Sequence, residues 1–282
     1  MDGPDIIVRT LSLPAVPDKF GNVWQYHSRS DRHSKIACWA ILFDLLQHSS
    51  LLGAHARANK VVFGINLQMR DFRTNRSKDL DLVIARPGTP PPTRPQASMH
   101  GLALRWGIRL TEEQQSRLAG LAPLTEGTAG NVLVALEAKA CMTAHIAALP
   151  RLFDELTSSY VTVHADTQQA LAVGFAMINA SDTFVSADRN KHDLQQVHVV
   201  VNEHPAHAVI RAVEKVREIN RRSGPGTDGF DAFGTMILSM RNDGSPVNLV
   251  TTPPAPSAGD VDSYPRMIGR LAQAYNLTFA GI

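Results

Sequence analysis

Glu137 and Lys139 carry opposite charges on alternate residues of the apolar stretch VLVALEAKA, 132–140. Side chains alternate with period two along a strand, so both fall on one face. A second acidic strand precedes it. In KDLDLVIARP (78–87), Asp79, Asp81 and Val83 share one face, and Leu80, Leu82 and Ile84 take the other. If the two strands are neighbours, Asp79, Asp81, Glu137 and Lys139 converge at one sheet edge. Carboxylates held close repel one another unless a cation sits between them. Hard oxygen ligands suit Mg2+, which takes one or two protein carboxylates and keeps several waters. A lysine beside that ion would orient and help deprotonate a bound water, and would offset charge developing on a phosphate. This chemistry suits hydrolysis of a phosphodiester.

Elements to position these residues are legible around them. Residues 31–50 carry Ile36, Trp39, Ala40, Phe43 and Leu46 at helical spacing and predict an amphipathic, largely buried helix. KVVFGINLQMRDF (60–72) reads as a strand, RTNRS as a turn, and 78–87 as its antiparallel partner. A proline-rich loop follows (87–96), then a short helix at 111–121 with Thr111 as its cap, a turn at 125–131, and the Glu-x-Lys strand. Residues 141–160 have helical period, with Met142, Ile146, Leu149, Phe153 and Leu156 on one face and Pro150 expected to kink or divide the helix. ALAVGFAMINAS (170–181), apolar on both faces, reads as the interior strand of a covered sheet. A helix over 205–224, a strand–turn–strand over 232–250 turning at Asn242-Asp243-Gly244, and a last helix complete the pattern. Residues 1–30, with three prolines, read as an irregular arm. The expected fold class is α/β, a mixed β-sheet flanked by helices. One domain spans 1–282: a core at about 31–180, a proline-rich insertion at about 87–130 and a C-terminal α/β extension at 181–282.

The acidic strand, the later Glu-x-Lys strand and the helix after it resemble the core of the PD-(D/E)xK nuclease superfamily. Its order is helix, strand, strand with Asp, strand with Glu-x-Lys, helix, strand, and residues 31–180 follow it. The branch most similar is the type II restriction endonucleases, in which such a core carries recognition insertions. The resemblance implies a Mg2+-dependent endonuclease acting on double-stranded DNA, with Asp81, Glu137 and Lys139 catalytic. Asp81 and Glu137 would be metal ligands, with Asp79 serving or assisting. Asp81 is favoured because the apolar run Leu82-Val83-Ile84 follows it directly. No proline precedes either aspartate, and the long separation of Asp81 from Glu137 requires the insertion. Palindromic specificity would imply a homodimer, since protein symmetry mirrors site symmetry. The other readings are a repair or recombination nuclease of the same fold and a non-catalytic DNA-binding protein.

Composition fits that picture without demanding it. The 282 residues are 44% apolar and 19% charged, with a net charge of +2, enough for a large core and neutral on nucleic acid. Basic residues cluster at Arg70, Arg73, Arg76 and Lys78 beside the acidic strand, where they would position phosphates or reach guanine edges. From the helix after Glu-x-Lys, His145 and Arg151 face either phosphate or water. No apolar run approaches the roughly 20 residues of a membrane span. The N-terminus has no basic segment followed by an apolar block, and Cys38 and Cys141 are the only cysteines, so a reduced cytoplasmic protein is expected. Gly224, Gly226 and Gly229 have dinucleotide-fingerprint spacing but follow a helix, which the fingerprint does not allow. His198, His204 and His207 read as loop residues, and Cys141 as a buried thiol.

Overall fold

The computed structural model describes residues 1–71, 76–90, 97–167, 169–224 and 226–282. In chain order its elements are α1 (Gly3–Leu11), β1 (Val16–Pro17), β2 (Val23–Trp24), α2 (Arg32–His48), α3 (Ser50–Arg57), β3 (Val62–Asp71), β4 (Arg76–Pro87), α4 (Met99–Trp106) and α5 (Glu112–Gly120). There follow β5 (Ala129–Cys141), α6 (His145–Asp166), β6 (Leu171–Asn179), β7 (Thr183–Val185), β8 (Val201–Glu203), α7 (Ala206–Arg217), β9 (Ala232–Ser239), β10 (Asn248–Leu249) and α8 (Tyr264–Thr278). The protein is α/β. Its central sheet has six strands in the order β10-β9-β6-β5-β4-β3. The chain runs antiparallel from β3 through β4 to β5, then parallel from β5 through β6 to β9.

Strand β6 is buried at every position because both faces of the sheet are covered. One apolar layer draws on α1, α2 and α8, and the other on α6 and α7. Helix α2 lies within the first layer, so it is buried all round from Ile36 to Leu46 instead of presenting one wet face. The N-terminal arm is itself a helix. Ile6, Ile7 and Leu11 of α1 are fully buried, and Pro4 occupies the first turn, where its missing N–H costs nothing. Thr111 and Gln114 form a reciprocal capping box on α5. Helix α4 and the strand character of 129–131 went unread in the sequence, and α7 ends at Arg217, short of Gly224.

Helix α6 runs unbroken through Pro150. Its buried stripe is Leu152, Leu156, Tyr160 and Val163, whereas Ile146 is 44% exposed. The expected stripe was offset because it began at Met142, which precedes the helix and packs in the opposite layer. Among the described residues no single helix is long and apolar enough to cross a membrane.

Candidate active site

The site arises from an irregularity between β3 and β4. Their ladder pairs Ile65 with Leu82 and Leu67 with Leu80 and omits Asn66 with Asp81. Asn66 has a φ of +51°, a left-handed conformation that asparagine tolerates better than most residues. The irregularity shifts the alternation of β4 by one. Leu80 packs with Val83 and Ala85 in the α6–α7 layer, while Leu82 and Ile84 pack in the α2 layer. The expected sharing of a face by Asp79 and Asp81 therefore fails. Asp79 is exposed, pairs across the strand with Gln68, and does not line the cleft described below. It is not brought to the metal position proposed for it.

Asp81 instead points along the sheet, across to β5. The regular β4–β5 pairing reaches Leu82 with Leu136, and beyond it the Asp81 Oδ2 accepts the main-chain N–H of Ala138 at 2.8 Å. A carboxylate thus replaces a strand carbonyl where the two strands separate. On β5, Glu137 and Lys139 share the face that looks toward α6. Lys139 Nζ lies 2.7 Å from Glu137 Oε1 and 3.3 Å from Glu155 Oε2 of α6. Glu137 is 1% exposed, and its Oε2 has no hydrogen-bond partner. Apolar strand residues on either side bury it, and parallel pairing with Gly174 of β6 keeps the sheet continuous beneath.

Burial opposes ionisation of both acids. It pushes the Asp81 carboxyl up, against the Ala138 hydrogen bond and the Lys139 charge. It also pushes Glu137 up, helped by the negative charge of Asp81 and opposed by the two lysines. For Lys139 burial works the other way, but the Glu137 ion pair outweighs it and holds the ammonium above its ordinary range. The result is two desolvated carboxyl groups matched by two lysines, with one buried oxygen unused.

A cleft of about 420 Å³ opens onto Asp81 and Lys139, while Glu137 is buried and does not line it. Asp81, Ala138 and Lys139 line it from the sheet, Asp31, His33 and Ser34 from the start of α2, Tyr26, Ser28, Arg29 and Ser30 from the segment before α2, and Arg151, Leu152 and Glu155 from α6. Asn66 Nδ2 donates to Asp31 Oδ2 at 3.0 Å, tying the irregularity in β3 to the α2 end of the cleft.

Of the four basic residues expected to hold phosphate, Lys78 turns inward. Its Nζ donates to the Glu155 carbonyl at 2.5 Å and the Ser158 hydroxyl at 2.8 Å, and lies 3.8 Å from Glu137 Oε1. The shifted alternation of β4 aims it at α6. The Arg70 and Arg76 side chains, and all of Arg73, lie outside the described residues. The residues missed in sequence are Glu155, Arg29 and His33. Only Glu155 left a signal, its i,i+4 spacing from Arg151.

The other candidates resolve as structural groups. Cys141 is buried, which pushes its thiol up to about 12, and His145 is engaged with the Asn179 carbonyl at 2.8 Å, so neither forms a nucleophilic pair. His204 is buried between the Ser181 carbonyl and the Thr143 hydroxyl. Among the described residues no group of three or more His, Cys, Asp and Glu side chains is arranged to hold a metal. Asp81 and Glu137 are the carboxyl groups that act directly on each other there, with Glu155 across Lys139 from them. Compared with family models, curated proteins and solved structures, the chain matches none.

Proposed function

We propose that this protein is a Mg2+-dependent endonuclease that hydrolyses phosphodiester bonds of double-stranded DNA, of the site-specific type II kind. The observation that carries the reading is the convergence of Asp81 and Glu137-x-Lys139 where β4 parts from β5, with Asp81 and Lys139 lining an open cleft and Glu137 Oε2 buried and unpartnered. This donor set fits Mg2+: two hard carboxylates leave room for the waters it retains. Asp81 and Glu137 would hold the ion, which when bound supplies Lewis acidity and a more acidic water.

The chain's own groups supply the rest. Lys139 faces the cleft from the rim of the Glu137 carboxylate, placed to orient the attacking water and offset charge developing on the phosphate. Arg29 and Arg151, on opposite walls, offer guanidinium groups to flanking phosphates. Helix α6 and the start of α2 narrow the cleft and reduce the water that competes for these contacts. In-line displacement leaving 5′-phosphate ends follows from the family resemblance. So does a homodimer, if the recognised sequence is palindromic. Both cysteines are buried free thiols, which suits a reducing cytoplasm.

The test is digestion of mixed bacterial and phage DNA with Mg2+, beside Lys139→Ala and EDTA controls, with sequencing of the ends. Discrete fragments sharing an end sequence, absent from both controls, are expected. Smearing would indicate a repair or structure-selective nuclease. DNA binding with no cleavage under any condition would favour a binding protein.

A further inference from the structure

We propose that Glu155 is a positioning residue that gives Lys139 a second anionic partner, so that Glu137 can turn from Lys139 to the metal, a proposal that rests on reading Asp81 and Glu137 as the Mg2+ ligands. Glu155 sits at the centre of the cations around the site. Its Oε2 lies 3.3 Å from Lys139 Nζ, its Oε1 accepts the Arg151 Nε at 2.5 Å, and its main-chain oxygen accepts Lys78 Nζ at 2.5 Å. The neighbouring buried residues Leu152, Leu156 and Tyr160 fix this stretch of α6 against the sheet.

The electrostatic problem is specific. Lys139 and an incoming cation both need the carboxylate of Glu137. Two positive charges on one carboxylate repel each other strongly in a partly buried site. A second carboxylate on the far side of Lys139 lets the ammonium keep an anionic partner while Glu137 turns to the metal. Burial opposes the ionisation of Glu155, but the Arg151 hydrogen bond and the Lys139 charge outweigh it and hold the carboxyl below its ordinary value, so it stays charged for this role. Without Glu155, the anionic partners left to Lys139 are Glu137 and Asp81, the two metal ligands, and it competes directly with the ion. The plain alternative is that Glu155 makes only an exposed i,i+4 pair with Arg151, whose side chain is 84% exposed. Such pairs contribute little.

Mg2+ affinity separates the two roles, read from the rise of the unfolding midpoint with Mg2+ concentration in the full chain, with no DNA present. Wild type, Asp81→Asn, Glu155→Gln, Lys139→Ala and the double variant Glu155→Gln/Lys139→Ala are compared. Glu155→Gln is expected to weaken Mg2+ binding by about 10-fold, within the usual range for groups that orient metal ligands. In the Lys139→Ala background the same substitution is expected to change nothing, because the competitor is gone. Glu155→Ala, which also removes the hydrogen bonds, should repeat both results. Equal affinity of wild type and Glu155→Gln, with binding still abolished by Asp81→Asn, would overturn the role of Glu155 alone. An equal loss in both backgrounds would also overturn it, since Glu155 would then act through the fold. A Mg2+ response unaffected by Asp81→Asn would overturn the metal reading and this inference with it.

Discussion

Two of the regions that bury carboxyl groups do so in opposite ways. Asp44 of α2 is fully buried, and its two oxygens accept the main-chain N–H groups of Asp2 at 3.0 Å and Gly3 at 2.9 Å. It places negative charge at the N-terminus of α1, where the helix dipole and unpaired amides favour it. The pocket is closed: a Cβ on Gly3 would sit 1.9 Å from the Tyr264 hydroxyl oxygen, so only glycine fits. At the cleft, Asp81 and Glu137 have two lysines, the Ala138 amide and the Ser34 side chain as partners, Glu137 Oε2 has none, and Asp81 lines the cleft while Glu137 is buried beside it. The first group is satisfied by backbone and ties α1 to α2. The second leaves a buried oxygen unused next to Asp81 and Lys139, which line an open cleft. A buried acid therefore points to function through what it lacks and what it faces, not through burial alone.

Several measurements would break or sharpen that comparison. The largest effect is expected for Lys139→Ala, which should lower the cleavage rate by about 10²–10⁴-fold while DNA binding persists. A gel-shift assay beside a cleavage assay reads both, and cleavage near the wild-type rate would remove Lys139 from the chemistry. Next is Asp44→Ala, expected to cost about 2–3 kcal/mol in denaturant unfolding because two helix amides lose a charged acceptor. Cleavage per folded molecule should stay at the wild-type level. If activity falls with Asp44 and stability does not, the contrast between the regions is wrong.

A pH effect follows from His33, beside the cleft. Burial and the Lys139 charge push it down to about 4 from an ordinary 6.5. Between those values the unfolded chain binds a proton that the fold refuses, so this group's contribution to stability is lost as pH falls from 6.5 to 4. Asp81 and Glu137 act with the opposite sign, since their raised carboxyls bind protons more readily folded than unfolded. The difference between wild type and His33→Gln isolates the histidine. Its contribution should be on the order of 1 kcal/mol after allowance for partial exposure, and identical pH profiles would contradict it.

The smallest change in stability is expected for Asp81→Asn. The amide oxygen keeps the Ala138 N–H while the costly charge disappears, so unfolding stability should hold or rise by up to about 1 kcal/mol. The Mg2+ response should vanish. A clear destabilisation would make Asp81 a structural acid like Asp44.

Much of the fold was legible because the main elements have strong periodicity. The β3–β4 hairpin, the buried β6, the α5 cap and α8 all follow from local pattern and turn chemistry. Helix α1 was hidden by Pro4 and by the two prolines that follow the helix, although Ile6, Ile7 and Leu11 have helical spacing. In the site, Glu137 and Lys139 were readable because an unbroken strand preserves alternation. Asp79 was misplaced and Lys78 misaimed because the irregularity opposite Asn66 shifts that alternation by one residue.

By itself, then, the sequence determined the α/β class and the charged pair on one face of β5, since both depend on spacing along a single element. Only the tertiary structure decided which aspartate reaches that pair, that Lys78 turns inward, and that Glu155 meets Lys139 from α6. Those outcomes depend on a break in one ladder and on the packing of a distant helix against the sheet. Contacts of that range are set by how elements assemble, and no local period encodes them.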